Sequence, residues 1–252
     1  MAVVKRIVVI GATSGIAEQC CRVWLEEAPA DLLLVARDAN RAEHIAVDLR
    51  VRSPGSQIAV QQADFLDPAA IEHVADAAVA AAPVDIVLIA HGWLADQSRS
   101  EGDLAFCREV LEVNAVSPAL FAEAFARRMA AADRGTICII GSVAGDRGRK
   151  ANYVYGASKG LLARYAEGLD HRLRLARSGV RVVLAKPGPT DTPMAAQFKA
   201  AGMRLASPRE VAERIVRAIA AGWPVVYAPA RWRLVMMVVR HLPRFVFNRL
   251  SI

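Results

Sequence analysis

The chain has 252 residues and a mass of 27.1 kDa, the size of one large domain, and 54% of it is hydrophobic, enough to fill a sizeable core. Its net charge is +7, but seven of its 32 cations follow the last acid, Glu213, so the body balances 25 cations against 25 acids. A nucleic-acid binder spreads its charge over a face with aromatic platforms, so that class is set aside.

Four cysteines (Cys20, Cys21, Cys107, Cys138) show neither metal-ligand spacing nor a CxxC pair, which points to a reduced, cytoplasmic protein without a metal centre. The amino terminus lacks the apolar stretch of a signal peptide, and no run approaches the ~20 residues of a spanning helix.

In chain order, short β-branched runs alternate with stretches of helical length. The runs are RIVVIG (6–11), LLLVAR (32–37), QIAVQQAD (57–64), VDIVLIAHG (84–92), GTICIIGS (135–142), RVVLAKPG (181–188) and PVVYAP (224–229). Such near-continuous apolar runs suit parallel strands buried on both faces. Their alternation with helices predicts a Rossmann-type, doubly wound α/β sheet of about seven strands with helices on both faces. The expected organisation is one domain over residues 1–230 and a basic, apolar segment over 231–252.

The first strand runs into GATSGIA, with Gly11, Thr13, Ser14, Gly15 and Ile16 opening a helix. Glycines let the backbone approach a pyrophosphate, which the N–H groups of the helix amino terminus then hold. The second strand ends with Arg37 where a ribose-binding acid would serve NAD. An arginine there suits a 2′-phosphate and favours NADP over NAD; the alternative is a solvated loop charge. Asp38 reads as the cap of the next helix, and Asp67-Pro68 as the start of the one after. Between them, Asp64 and Phe65 end the third strand, where Asp64 is placed to meet an adenine edge. His91 and Gly92 end the fourth strand, His91 as a substrate contact or as a structural histidine.

Ser142 ends the fifth strand, and Tyr155 and Lys159 follow in YVYGASKG, four apart and so on one helix face. An ammonium about 4 Å from a phenol, at an effective dielectric of ~20, favours the phenolate by roughly 4 kcal/mol. That would bring a tyrosine of pKa ~10 near neutrality, where general acid–base catalysis works best. Arg147, Arg149 and Lys150 crowd ahead of this helix, either to hold a substrate phosphate or as a solvated basic loop. Ser207 to Glu210 (SPRE) is a capping box.

With the glycine loop, the strand-end serine and the Tyr-x-x-x-Lys pair in order, residues 5–230 resemble the short-chain dehydrogenase/reductase family. The resemblance implies that Tyr155 protonates a carbonyl oxygen, that Ser142 orients it, and that Lys159 holds the nicotinamide ribose and lowers the tyrosine pKa. It implies that Asn114, in LEVNAVSP, supports a proton-relay water. It places Pro187, Gly188, Thr190 and Thr192, in PGPTDT, over the nicotinamide, and it implies a homodimer or homotetramer. Two departures stand out: Ala17 replaces a third glycine, and IAHG stands where the family has NNAG.

The final segment, RWRLVMMVVRHLPRFVFNRLSI, has five arginines, no acid and an unbroken apolar run over 234–239. It suits a membrane interface, where each arginine near an anionic leaflet is worth about 1 kcal/mol. The alternative is docking on the body or on another subunit; Pro243 should split it in two. This segment and GDRGRKANYVYGASKG resemble the family's reductases of a decaprenylphosphoryl 2-keto-pentose. That implies a lipid-linked sugar, peripheral attachment to the inner face of the cytoplasmic membrane, a place in cell-wall synthesis, and a partner oxidase to supply the ketone. A reductase of soluble or acyl ketones, or a non-catalytic nicotinamide sensor, remains open on the sequence.

Overall fold

The computed structural model describes residues 4–250, apart from the side chain of Gln197, and all structural statements refer to these. The ends of both expected segments, residues 1–3 and 251–252, lie outside them. All seven runs form strands: β1 (Lys5–Ile10), β2 (Ala30–Ala36), β3 (Gln57–Gln62), β4 (Ile86–Ile89), β5 (Gly135–Ile140), β6 (Val180–Pro187) and β7 (Val225–Ala228). They make one parallel sheet in the order β3-β2-β1-β4-β5-β6-β7. The order reverses between β1 and β4, which opens a crevice at the carboxyl ends of those strands.

The intervening helices are α1 (Gly15–Glu27), α2 (Ala39–Arg52), α3 (Pro68–Ala81), α4 (Gln97–Gly102), α5 (Leu104–Leu111), α6 (Ser117–Ala131), α7 (Tyr153–Leu175), α8 (Ala196–Ala200) and α9 (Pro208–Ala221). Their starts follow the local chemistry. Asp38 accepts from the Arg41 N–H at 3.0 Å, Asp67 from Ala69 at 2.9 Å, and Ser207 from Glu210 at 3.1 Å.

Side chains alternate along each strand, so the sheet divides the core. Ile7 and Val9 of β1 pack with Cys20, Leu49 and Ile215 of α1, α2 and α9; Val8 and Ile10 pack with Ile71, Phe125 and Leu162 of α3, α6 and α7. Ala17, at the third-glycine position, is fully buried in the first of these clusters, so its methyl group fits the helix–sheet contact.

The final segment forms α10 (Arg231–His241) and α11 (Arg244–Phe247), broken at Leu242–Pro243 as the proline requires. One face of α10 docks on the body. Met236 is buried, and the Trp232 indole fills the space that a Cβ on Gly188 would need. Arg147 donates to the carbonyl oxygens of Val239 at 2.5 Å and Leu242 at 2.7 Å, and its guanidinium lies 3.8 Å from the Phe247 ring centre. The rest of the apolar run faces outward: Leu234, Val235, Met237 and Val238 are 65%, 42%, 54% and 58% exposed. No helix among the described residues is long and apolar enough to cross a membrane.

The Gly188–Trp232 contact makes a stability prediction. Gly188→Ala should cost about 1–3 kcal/mol in urea unfolding, because the new methyl overlaps the indole. In a Trp232→Ala background the same change should cost less than about 1 kcal/mol, a coupling that a double-mutant cycle reads directly.

Candidate active site

Parallel strands deliver the loops after β1 to β6 to one edge of the sheet; most candidate residues lie in those loops, with Asn114 in the turn before α6 and Tyr155 and Lys159 in α7. At the first, Gly11 has φ +81, and a Cβ there would stand 2.6 Å from the His91 backbone nitrogen, so only glycine fits. Gly15 faces Thr192 closely too, with 3.2 Å from a built Cβ to the threonine methyl. Ser14 is the N-cap of α1 yet its hydroxyl makes no capping bond. The first N–H groups of α1 and the Ser14 hydroxyl, flanked by Thr13 and Ile16, therefore form a donor set for an anion. These features fit a dinucleotide pyrophosphate.

Arg37 is exposed at the end of β2, and no carboxylate among the described residues pairs with its guanidinium. The Asp38 carboxylate beside it is occupied in capping α2. Asp64 is exposed and accepts from the Leu66 N–H at 2.9 Å, while Phe65 is buried against His91 and Phe121 at ring distances of 4.7 and 5.2 Å.

His91 is held through Nε2, 2.9 Å from the Ser117 hydroxyl, which donates its own proton to the Phe65 carbonyl at 2.6 Å. Nε2 is therefore the protonated nitrogen, and Nδ1 is left buried without a partner. Burial, reinforced by the charges of Lys159 and Arg37, lowers its pKa to about 3. The ring sits in the core layer between Phe65 and Phe121, a structural position.

Ser142 opens a 3-10 turn, Val143–Asp146, and its Oγ accepts from the Ala144 N–H at 3.1 Å. One turn of α7 separates Tyr155 from Lys159. The Lys159 side chain is buried; its ammonium donates to the Ile140 carbonyl at 3.1 Å and lies 5.8 Å from the Tyr155 ring centre. Burial lowers the Lys159 pKa to about 8. Burial also raises the Tyr155 pKa above its ordinary value, against an opposing hydrogen bond from Ser142. This direction runs against the near-neutral tyrosine expected from the Tyr155–Lys159 spacing: burial raises the phenol, and the Lys159 ammonium is directed to the Ile140 carbonyl.

Asn114 lies in a π-turn, Glu112–Val116, between α5 and α6, an irregularity often found at functional sites. It is fully buried; Oδ1 accepts from the Trp93 N–H at 2.8 Å and Nδ2 donates to the Val110 carbonyl at 2.9 Å. Gly92, at φ +145, is wedged against it: a Cβ there would come within 2.7 Å of Asn114 Oδ1 and 3.3 Å of Lys159 Nζ. Beyond Pro187, the Gly188 N–H donates to the Ala228 carbonyl at 2.9 Å, the Thr190 hydroxyl donates to the Gly188 carbonyl at 2.9 Å, and the Thr192 N–H donates to the Thr190 carbonyl at 2.8 Å.

A cleft of about 390 Å³ is lined by Trp93, Leu94, Asp96, Pro193 and Met194. Sequence reasoning missed these residues, although each lies within four positions of Gly92 or Thr192. The basic run before α7 is divided. Arg147 is committed to α10 and α11, which corrects its assignment as a phosphate ligand; Lys150 is exposed; Arg149 keeps a buried Nε without a partner. A larger cleft, about 780 Å³, lies elsewhere, between α7, β7 and α10.

The His91 geometry gives a pH prediction. Its folded pKa is depressed, so the unfolded chain binds the extra proton first as pH falls. Stability from this group is complete above about pH 6.5 and is lost toward its folded pKa of about 3, by at most about 1.4 kcal/mol per pH unit. Urea midpoints measured from pH 7 to 4 should therefore fall less steeply in His91→Gln than in the unsubstituted chain.

The short chain dehydrogenase model matches residues 5–202. Over 247 residues the chain is 32% identical to an uncharacterized oxidoreductase of Mycobacterium tuberculosis, covering 97% of this chain and 96% of that one. It is 31% identical over 220 residues to the cis-4-hydroxycyclohexanecarboxylate dehydrogenase of Sinomonas cyclohexanicum, covering 82% and 86%. A short chain dehydrogenase from Burkholderia cenocepacia in complex with NADP shares the fold, with TM-score 0.81, 20% identity and coverage of 99% and 98%. A family match over most of the chain, on a seven-stranded sheet that carries the expected loops at one edge, means that this protein belongs to the short chain dehydrogenase family.

Proposed function

We propose that this oxidoreductase uses NADPH to reduce the 2-keto group of a pentose carried on a polyprenyl phosphate, working at an anionic membrane surface. The observation that carries the reductase reading is the geometry of Ser142, Tyr155 and Lys159, with the buried Lys159 ammonium 5.8 Å from the Tyr155 ring centre and bonded to the strand that leads to Ser142. When bound, the nicotinamide supplies a hydride. The chain's own part is the proton and the oxygen. Tyr155 gives its phenolic proton to the carbonyl oxygen as that oxygen gains negative charge. Ser142 accepts from Ala144, which leaves its own O–H to donate to the same oxygen. Lys159, with a pKa of about 8, is mostly charged at neutral pH and stabilises the phenolate left behind. Asn114 supports the water that returns the proton.

Arg37 supports the choice of NADPH: it is exposed at the ribose end of the site with no carboxylate paired to it among the described residues. The relative solved with NADP agrees. The lipid-linked substrate rests on the C-terminal segment. Four apolar residues of α10 face outward, and exposed Arg231 and Arg244 stand at the starts of α10 and α11, as in a segment that lies on a membrane rather than crossing it. Arg149, with Lys150 beside it, is the cation left to meet a substrate phosphate. A soluble cyclic ketone is the second reading, favoured by the relative that acts on a hydroxycyclohexane carboxylate.

The direct test is NADPH oxidation with a 2-keto-pentose presented on a polyprenyl phosphate in anionic vesicles, against the free keto-sugar and a cyclohexanone carboxylate. Turnover that needs the lipid-linked form, and falls by roughly 100-fold or more in Tyr155→Phe, is the expected result. Equal turnover of the soluble ketones would move the assignment to them, and full activity in Tyr155→Phe would remove the phenol from the mechanism. For the cofactor, Arg37→Ala should lower the NADPH-over-NADH preference about tenfold or more, since a charge-assisted contact is worth about 1.5–3 kcal/mol.

A further inference from the structure

The turn that begins at Ser142 packs on α7, and its last residue and the one after it are tied to groups outside the catalytic set. Gly145 presses on the backbone of α7 at the catalytic lysine: a Cβ there would lie 2.6 Å from the Lys159 carbonyl carbon. Asp146, its side chain only 3% exposed, accepts from Lys186 Nζ of β6 at 2.5 Å and from the Tyr227 hydroxyl of β7 at 2.7 Å. Arg240 of α10 lines the same cleft as Asp146 and Tyr227. Arg147, the next residue, holds the carbonyl oxygens of Val239 and Leu242 at the end of α10 and covers the Phe247 ring of α11.

We infer that the C-terminal segment is a working part of the active site, with Asp146 and Arg147 as positioning residues that couple the docking of α10 and α11 to the placement of the Ser142 turn. The inference rests on the reading of Ser142 as the group that orients the carbonyl.

The chemistry favours such a coupling. A helix carboxyl end leaves carbonyl oxygens without partners, and it is the negative end of the helix dipole. A guanidinium satisfies two of those oxygens at once, and its flat face also stacks on an aromatic ring, which an ammonium does less well. On the other side, the buried Asp146 carboxylate is committed to Lys186 and Tyr227, and removing one partner of such a pair leaves a charge uncompensated. Two adjacent residues thus join the serine turn to β6, β7 and α10.

The test uses the full chain and reads backbone hydrogen exchange over residues 143–147 and 231–249, NADPH affinity by fluorescence, and the kcat and KM for the ketone that turns over fastest in the substrate test above. In Arg147→Ala, exchange should rise about tenfold or more in both segments, with β1 to β4 unchanged. NADPH affinity should stay within about twofold while kcat falls roughly tenfold, a split that general loss of structure would not produce. Arg147→Lys should recover part of the loss. Phe247→Leu, which removes the stack and leaves the arginine in place, should show the same pattern at lower amplitude and decides the matter if Arg147→Ala fails to fold. Looser exchange in 231–249 with unchanged exchange in 143–147 would overturn the coupling. The exchange and NADPH measurements need no ketone, so they decide the coupling whatever substrate the enzyme takes.

Discussion

A cation held inside the protein organises this site. Lys159 is almost wholly buried, and its hydrogen bond to the Ile140 carbonyl ties the catalytic helix to the strand that delivers Ser142. An ammonium out of water needs its charge met by dipoles, so its surroundings have little freedom. Gly92 stands between it and Asn114 because a side chain there would strike both. Gly145 brings the serine turn against the lysine's own backbone. Burial lowers the lysine pKa and raises that of Tyr155, a direction that suits the proton donor proposed above.

Around this charge the site is assembled by close backbone approaches. Gly11 meets His91, Gly15 meets Thr192, and Gly188 meets Trp232. Each contact joins segments far apart in the chain: the loop after β1 meets those after β4 and β6, and the last also meets α10. Such preorganisation is what a site needs if its donors are to face charge that develops only during reaction. The C-terminal helix belongs to the same assembly: its indole covers Gly188, and its carboxyl end is held by the residue next to Asp146.

Much of this was legible in the chain itself. Seven apolar runs announced seven strands, because a strand buried on both faces leaves an unbroken apolar signature. The caps at Asp38, Asp67 and Ser207 were readable because capping is a contact across two or three residues. The pairing of Tyr155 with Lys159 and the break at Pro243 follow equally from local geometry. The tyrosine pKa was not readable. A Coulomb estimate from sequence spacing knows the charge, but it does not know that the ammonium turns to a carbonyl or how little water surrounds the phenol.

The sequence by itself thus determined the sheet, the order of its loops and the chemical types placed in them, since these depend on periodicity and short-range geometry. Tertiary structure alone decided which cations were free. Arg147, Arg149 and Lys150 are near neighbours in the chain, yet one caps a distant helix, one is half-buried and one is exposed. It also decided that Asp146 would meet Lys186 and Tyr227, 40 and 81 residues away, and that an apolar run would bury Met236 and expose its neighbours. The physical reason is that a partner's identity depends on where the fold brings the chain back, and long-range contacts of this kind leave no period in the sequence to read.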